Sequence, residues 1–289
     1  MSPAILNFGS CNIDHVYTVE AFVSPGETLS TKTYDTFPGG KGFNQSIAIR
    51  EAGGSCTHVG RVGKDGEWLK DLLSSLEINT DFLTVSTEPT GHAIIQINRE
   101  GENAIITYGG ANHTMTQSEI DFALEKAKGT DLILIQNEIK NVSYIIKRAK
   151  KKGLHVAFNA APINKGVEDY PLDELDLLFL NEIEAEQLSG TTGTAEMIRV
   201  LSKRLPETKL IITLGGDGSI YHYKDETLKQ IAIDVGQIVD TTGAGDAFVG
   251  TFLAYFVETG EAQEALMGAA KASAKCISRK GTTNLLQNV

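Results

Sequence analysis

The sequence predicts an α/β protein: a mostly parallel central sheet between two layers of helices (an α/β/α sandwich), with a small antiparallel β lid. Three observations carry this. Short apolar runs such as Asp131–Gln136 and Leu175–Leu180 alternate with helical patterns, as strands buried on both faces do. Two regions, 14–37 and 90–108, break the rhythm with extended segments and polar turns. Polar and glycine-rich clusters follow several strands, at the edge where open α/β sheets bind ligands.

The elements follow in order. Ile5–Phe8 reads as a first strand, Gly42–Ala52 as a helix with Phe43 and Ile47 on one face, Cys56–Val62 as a strand and Asp65–Leu76 as a helix. Asp131–Gln136 is a strand, Val142–Lys152 a helix and His155–Asn159 a strand. Leu175–Leu180 is a strand and Glu182–Ser189 a helix; Lys209–Leu214 and Ser219–Tyr223 are strands. Ile231, Ile233 and Val235 alternate as in a strand, and Phe248, Phe252, Tyr255 and Phe256 fall at helical spacing. Within the lid, Ala93–Asn98 and Ala104–Thr107 form a hairpin about the turn Arg99–Glu102. Its apolar face must cover something or meet another lid. One domain spanning 1–289 is expected, without repeats or linkers.

Composition narrows the partners. A net charge of -11 argues against nucleic acid, and an anionic ligand would need a local site built from backbone amides or a few cations. Three scattered cysteines (Cys11, Cys56 and Cys276) suit buried thiols in a reducing compartment. Neither a signal peptide nor a membrane span is evident, so a cytoplasmic protein is expected. The histidines lack zinc spacing, and no GxSxG supports a hydrolase triad.

The stretch Asp240–Gly250, DTTGAGDAFVG, joins a strand to a buried helix. Unpaired amides at a helix start attract anions, and glycines let a phosphate come close. Asp246 on the first turn is a capping residue or, beside a phosphate, a general base for an attacking hydroxyl. Pro38–Asn44, PGGKGFN, also enters a helix; Lys41 and Asn44 offer donors to hydroxyls, and the spacing excludes a Walker A loop. Asn12 and Asp14 share one face of an extended segment, which suits a polyol or an Asx turn. Asn181 and Glu184 begin a helix, where acidic groups complement the dipole or, near phosphates, hold Mg²⁺ through waters. Thr213–Gly218 is a hairpin turn or a nucleotide cover, and Glu138 is a lone carboxylate at the sheet's carboxyl end.

Together these motifs resemble the ribokinase branch of the PfkB family of carbohydrate kinases. GSCNID, GGKGFNQSIA, YGGAN, QNE, NEIEAE, ITLGGDG, VDTTGAGDAF and SRKGT occur in family order over nearly the whole chain. The resemblance implies the ribokinase-like fold and an ATP-dependent kinase acting on a small sugar, with D-ribose giving ribose 5-phosphate. Asp246 would be the catalytic base, and Gly243, Ala244 and Gly245 the anion hole. Asn12, Asp14, Gly40, Lys41, Gly42, Phe43, Asn44 and Glu138 would line the sugar. Asn181, Thr213, Leu214, Gly215, Gly216, Asp217, Gly218 and Gly245 would hold ATP, and Asn181 and Glu184 would hold Mg²⁺ through water. Asp240 and Thr242, with carbonyls near Ile277, Lys280 and Thr282, would bind an activating K⁺. The lid would pair two subunits into a homodimer.

Two positions depart from the family pattern. Phe43 replaces a small residue, to face the core or narrow the pocket, and Ala270 replaces a polar adenine contact, with Lys271 beside it. Two other readings remain: a kinase for another pentose, a nucleoside or a phosphosugar, and a non-catalytic sugar sensor on the same fold.

Overall fold

The computed structural model describes residues 4–128, 131–163 and 166–278. β1 (Ile5–Phe8) is buried along its length. The chain leaves it through β2 (Asn12–Thr18) and β3 (Thr33–Gly39) and returns by α1 (Lys41–Glu51) to β4 (Cys56–Gly63), α2 (Glu67–Ser75) and β5 (Asn79–Ser86). A second excursion makes β6 (Gly91–Ile97) and β7 (Asn103–Tyr108). There follow α3 (Gln117–Lys126), β8 (Leu132–Gln136), α4 (Val142–Lys151), β9 (His155–Asn159), β10 (Leu177–Asn181) and α5 (Glu182–Ser189). The last elements are α6 (Thr194–Arg204), β11 (Lys209–Thr213), β12 (Ser219–Tyr223), β13 (Glu226–Gln230), α7 (Ala244–Thr259) and α8 (Ala262–Ile277).

Nine of these strands form one sheet in the order β13-β12-β11-β10-β9-β8-β1-β4-β5. It is parallel from β5 to β11 and antiparallel at β12 and β13. β4 lies on one side of β1 and β8 on the other, so the winding reverses there. A crevice opens beyond the strands' carboxyl ends at such a reversal.

The period-2 pattern divides the core. Leu6, Phe8, Ile133 and Ile135 pack with Ile145 and Ile146 of α4. Ile5, Leu132 and Leu134 pack on the other face with Phe43 and Ile47 of α1 and Phe248 and Phe252 of α7. Near the carboxyl ends this second face turns polar. Asn7, His58 and Gln136 are each 0% exposed there, and Asn7 sits in register beside His58. α1 and α7 touch at Gly250, where an added Cβ would lie 2.6 Å from the Ala48 Cβ and 2.7 Å from the Gln45 carbonyl oxygen.

The other four strands form the lid, in the order β3-β2-β6-β7. Its outer pairs are antiparallel, and its middle pair, β2 with β6, runs parallel, with α1, β4, α2 and β5 of the main layer intervening between them. The sheet leaves Tyr34, Phe37, Ile94, Ile105, Ile106 and Tyr108 exposed.

The strand expected at Ile231–Val235 lies one segment earlier, at Glu226–Gln230. A two-residue turn with Lys224 at φ 53° sets Tyr223 opposite Glu226, and pairing ends where Ser219 meets Gln230. Beyond it Ile231 is 77% exposed. The alternation there has period 2 but no partner strand. Phe43 is 0% exposed and belongs to the core.

Gly250→Ala is expected to cost about 1–3 kcal/mol by overpacking the α1/α7 contact. Urea unfolding reads it as a lower midpoint at unchanged slope; an unchanged midpoint would contradict the contact.

Candidate active site

The glycine-rich entry to α1 is strapped to the end of β1. Gly40 takes φ 92°, which favours glycine, and no side chain of its own turn caps the helix. Distant groups do so instead. The Lys41 amide donates to Glu138 Oε2 (3.0 Å), the Gly42 amide to Ser10 Oγ (3.3 Å) and the Phe43 amide to the Ser10 carbonyl (2.8 Å). Ser10 Oγ donates in turn to Glu138 Oε2 at 2.5 Å. Glu138 therefore spends one oxygen as a long-range cap. Gly42 lies against the backbone of Gly9, where an added Cβ would come within 2.5 Å of the Gly9 carbonyl carbon. Its part is close approach, and the polar side chains this segment offers are Lys41 and Asn44.

The lid's root contributes Asn12 and Asp14 on one face of β2. Asn12 Oδ1 accepts from Asn112 Nδ2 (2.7 Å), and Asn112 Oδ1 accepts from the Cys11 amide (3.0 Å). The Asp14 carboxylate lies directly over Gly39, leaving no room there for a Cβ. Burial, and secondarily the nearby Glu138 carboxylate, raise the Asp14 pKa to about 6.

Asp246 stands on the first turn of α7, 8% exposed. Its Oδ1 accepts from Gln45 Nε2 (2.8 Å) and its Oδ2 from Asn44 Nδ2 (3.1 Å). Burial raises its pKa, against the pull of Lys41 and these two donors. Lys41 is itself depressed by burial, but the fields of Asp246, Glu138 and Glu184 outweigh that and raise its pKa. One ammonium thus joins carboxylates contributed by three separate segments.

The two helix starts facing this cluster from α5 and α7 differ. α5 is closed by a capping box: the Glu184 amide donates to Asn181 Oδ1 and the Asn181 amide to Glu184 Oε2, both 2.8 Å. Asn181 Oδ1 and one Glu184 oxygen are thereby used. Glu184 is 7% exposed, and burial raises its pKa despite Lys41. A buried carboxylate so little compensated suits a cation beside it. α7 begins at Gly243, φ 77°, with no capping side chain, and the space in front of Gly245 is open. The Ala244 amide is turned back to the Thr241 carbonyl (3.3 Å), so it is the amides after it on the first turn that can meet an anion. α8 holds this loop from behind: Ser273 Oγ donates to the Ala244 carbonyl (2.9 Å) and Cys276 Sγ to the Thr242 carbonyl (3.4 Å).

At the end of β11, Leu214 to Gly218 form a tight turn, with open space before Gly215 and Gly216. Ala270 is buried on α8 and Lys271 is exposed. Of the residues expected around K⁺, Asp240 Oδ1 accepts from the Thr242 amide (2.9 Å). The Ile277 carbonyl accepts the amides of Val239 (2.8 Å) and Asp240 (3.3 Å), so it serves to tie the loop to α8. Lys280 and Thr282 lie outside the described residues. No group of three or more potential metal-ligating side chains occurs among the described residues. The oxygen donors Asp240 and the Thr242 carbonyl suit a hard cation in kind.

Residues 3–288 match the family described as pfkB family carbohydrate kinase. The chain belongs to the PfkB family of carbohydrate kinases. It is 32% identical to a ribokinase of Haemophilus influenzae, covering 97% of this chain and 94% of that one. A deoxyribokinase of Salmonella typhimurium is 31% identical, over 95% and 92%. The solved structure of Arabidopsis thaliana ribokinase complexed with ribose and ATP superposes with a TM-score of 0.87 at 31% identity, covering 97% and 94%. Membership makes the chain a phosphotransferase acting on a sugar hydroxyl, and its nine-stranded sheet with a four-stranded lid is the ribokinase fold.

Several groups around this cluster make bonds that sequence reading did not assign: Ser10, Gln45, Asn112 and Ser273. For Gln45 a signal existed. α1 is buried along Gly42–Ile49, and polar residues inside a helix buried all round must find partners.

Asp14 gives a pH test. Its folded pKa of about 6 exceeds the unfolded 3.8, so ionisation costs stability fully above pH 6 and not at all below about 3.8. Asp14→Asn is expected to stabilise the ligand-free protein at pH 7.5 by roughly 1–3 kcal/mol, fading towards pH 4. Denaturant unfolding at both pH values checks this; no gain at pH 7.5 would contradict the buried charge.

Proposed function

We propose that the protein transfers the γ-phosphoryl group of ATP to the primary hydroxyl of D-ribose, giving D-ribose 5-phosphate. The observation that carries this is Asp246, a buried carboxylate on the first turn of an uncapped glycine-led helix. Base and anion site are thereby held in one loop.

The sugar is held by Asn12, Asp14, Lys41, Asn44 and the second oxygen of Glu138. Two carboxylates and two amides suit a neutral polyol, and Lys41 alone is too few cations for a phosphosugar. Asp246 takes the proton of O5 as that oxygen attacks the γ-phosphorus, and the bond to the β-phosphate oxygen breaks, its electron pair leaving with ADP. The amides of Gly243, Ala244 and Gly245 face the charge on the transferring group. ATP lies across the carboxyl ends of β10 and β11, over Asn181 and the turn Thr213–Gly218, with the lid shutting out water. Glu184 would hold a Mg²⁺ through water, Asn181 contributing through the cap it makes, and that ion would supply charge neutralisation on the nucleotide phosphates. K⁺ at Asp240 and Thr242 would stiffen the loop. The lid's exposed apolar side chains suit a homodimer, and the buried thiols suit the cytoplasm.

Asp246→Asn is expected to lower kcat by at least ~10³-fold while ribose binding changes little. Coupled ADP release and titration calorimetry check the two halves. Near-normal turnover would overturn the assignment, and an inactive wild type that binds sugar would favour a sensor. Glu184→Gln is expected to raise the Mg²⁺ concentration for half-maximal rate roughly tenfold or more, read from a Mg²⁺ titration at fixed ATP.

A further inference from the structure

Behind Asp246 lies a chain of fully buried amides. Gln45, Gln136, Asn7, Ser46 and His58 are each 0% exposed. Asn7 Nδ2 donates to the Gly42 carbonyl (2.7 Å) and to Ser46 Oγ (2.9 Å). Gln136 Nε2 donates both to Asn7 Oδ1 and to Gln45 Oε1, each 2.8 Å. Gln45 Nε2 then donates to Asp246 Oδ1 at 2.8 Å.

The sense of this chain is fixed from one end. A backbone carbonyl only accepts, so the Gly42 carbonyl forces the amide nitrogen of Asn7 towards it and the Asn7 oxygen towards Gln136. Gln136 must then present its nitrogen, and its second proton can go only to an oxygen of Gln45. That leaves the nitrogen of Gln45 facing Asp246. The arrangement even leaves Gln136 Oε1 buried without a hydrogen-bond partner. An orphaned buried acceptor is costly, so the fold keeps both protons of Gln136 directed at a stability penalty.

We propose that Gln45 is a positioning residue that holds Oδ1 of Asp246 and so presents Oδ2 to the acceptor hydroxyl, and that Gln136, oriented by Asn7, fixes the donor sense of Gln45. Oδ2 has the longer bond, to Asn44, whose own Oδ1 is buried and unpartnered. The proposal deepens the reading of Asp246 as base and rests on it. The other charged or titratable groups around Asp246 are Lys41 on α1, Glu138 after β8 and Cys276 on α8; His58 at the far end of the chain is neutral, its pKa lowered by burial to about 4. None of them is altered by changing Gln45 or Gln136.

The test is the pH dependence of kcat/KM in the full-length enzyme. A hydrogen bond to a charged group is worth about one to two pH units. Gln45→Leu is expected to move the acidic limb up by that amount and to lower kcat at pH 7 roughly 10- to 100-fold, with KM for ribose and ATP within about twofold. Gln136→Met, which adds no charge and touches neither Asp246 nor a substrate, should move the limb the same way by a smaller amount, because Gln45 loses the donor that fixes its sense. This second variant carries the test if Gln45→Leu does not fold. Gln45→Leu combined with Gln136→Leu should match Gln45→Leu alone. An acidic limb unmoved in folded Gln45→Leu or Gln136→Met, or a change in KM alone, overturns the positioning role. The base reading fails separately: near-normal turnover in Asp246→Asn overturns it and this proposal together, whereas an inactive Asp246→Asn beside an unmoved limb overturns only the positioning.

Discussion

A carboxylate that the proposed reaction needs both buried and reactive constrains the rest of this molecule. Asp246 is removed from water, which disfavours its charge, yet only the charged form can take a proton. The fold answers with two amide donors from consecutive residues of α1, Asn44 and Gln45, and with the field of Lys41. Those residues reach Asp246 because α1 and α7 meet backbone to backbone at Gly250, one turn further along the same face of α7. Alignment of α1 depends in turn on Gly9 and Gly42, which let its first turn rest on the end of β1. A few glycines at helix contacts therefore set the geometry around Asp246, the proposed base.

The treatment of helix starts divides the labour of the site. α1 is closed by Ser10 and Glu138 from other segments, and α5 by its own capping box. α7 alone of these three has neither, and its carbonyls are held from behind by α8. The absence of a side-chain cap at α7, with the other two starts satisfied, is what favours α7 for the anion in the proposed reaction. Placing this at the reversal between β1 and β8 gathers groups distant in sequence, Ser10, Lys41, Glu138 and Asp246, around one crevice.

Much of this was legible in the sequence because strands buried on both faces and glycine-rich helix entries leave local signals. The lid hairpin was legible from its turn, where Gly101 takes φ 79°. What stayed hidden was non-local or low in contrast. β5 begins with Asn79 and Asp81, which read as turn residues, and lies at the sheet edge where only Thr80, Leu83 and Ser86 are buried. α8 buries Ala262, Ala265 and Ala269, too small to make a marked apolar stripe. Phe43 could be sent to the core or to the pocket only once α1 was oriented. Glu138 as a cap for α1 spans 97 residues, a pairing no local pattern announces. The capping box of Asn181 and Glu184, by contrast, is a short-range motif, and it coexists with the role the resemblance gives those residues.

The central claim is that one loop delivers a phosphoryl group to a primary sugar hydroxyl that Asp246 deprotonates. The most direct measurement is ³¹P NMR of the product formed from ATP and D-ribose, with proton coupling to locate the ester. The account predicts a single sugar phosphate whose phosphorus couples to the two C5 protons, formed in step with ADP. Phosphate on a secondary or anomeric oxygen, or ADP and inorganic phosphate without a sugar ester, would contradict it.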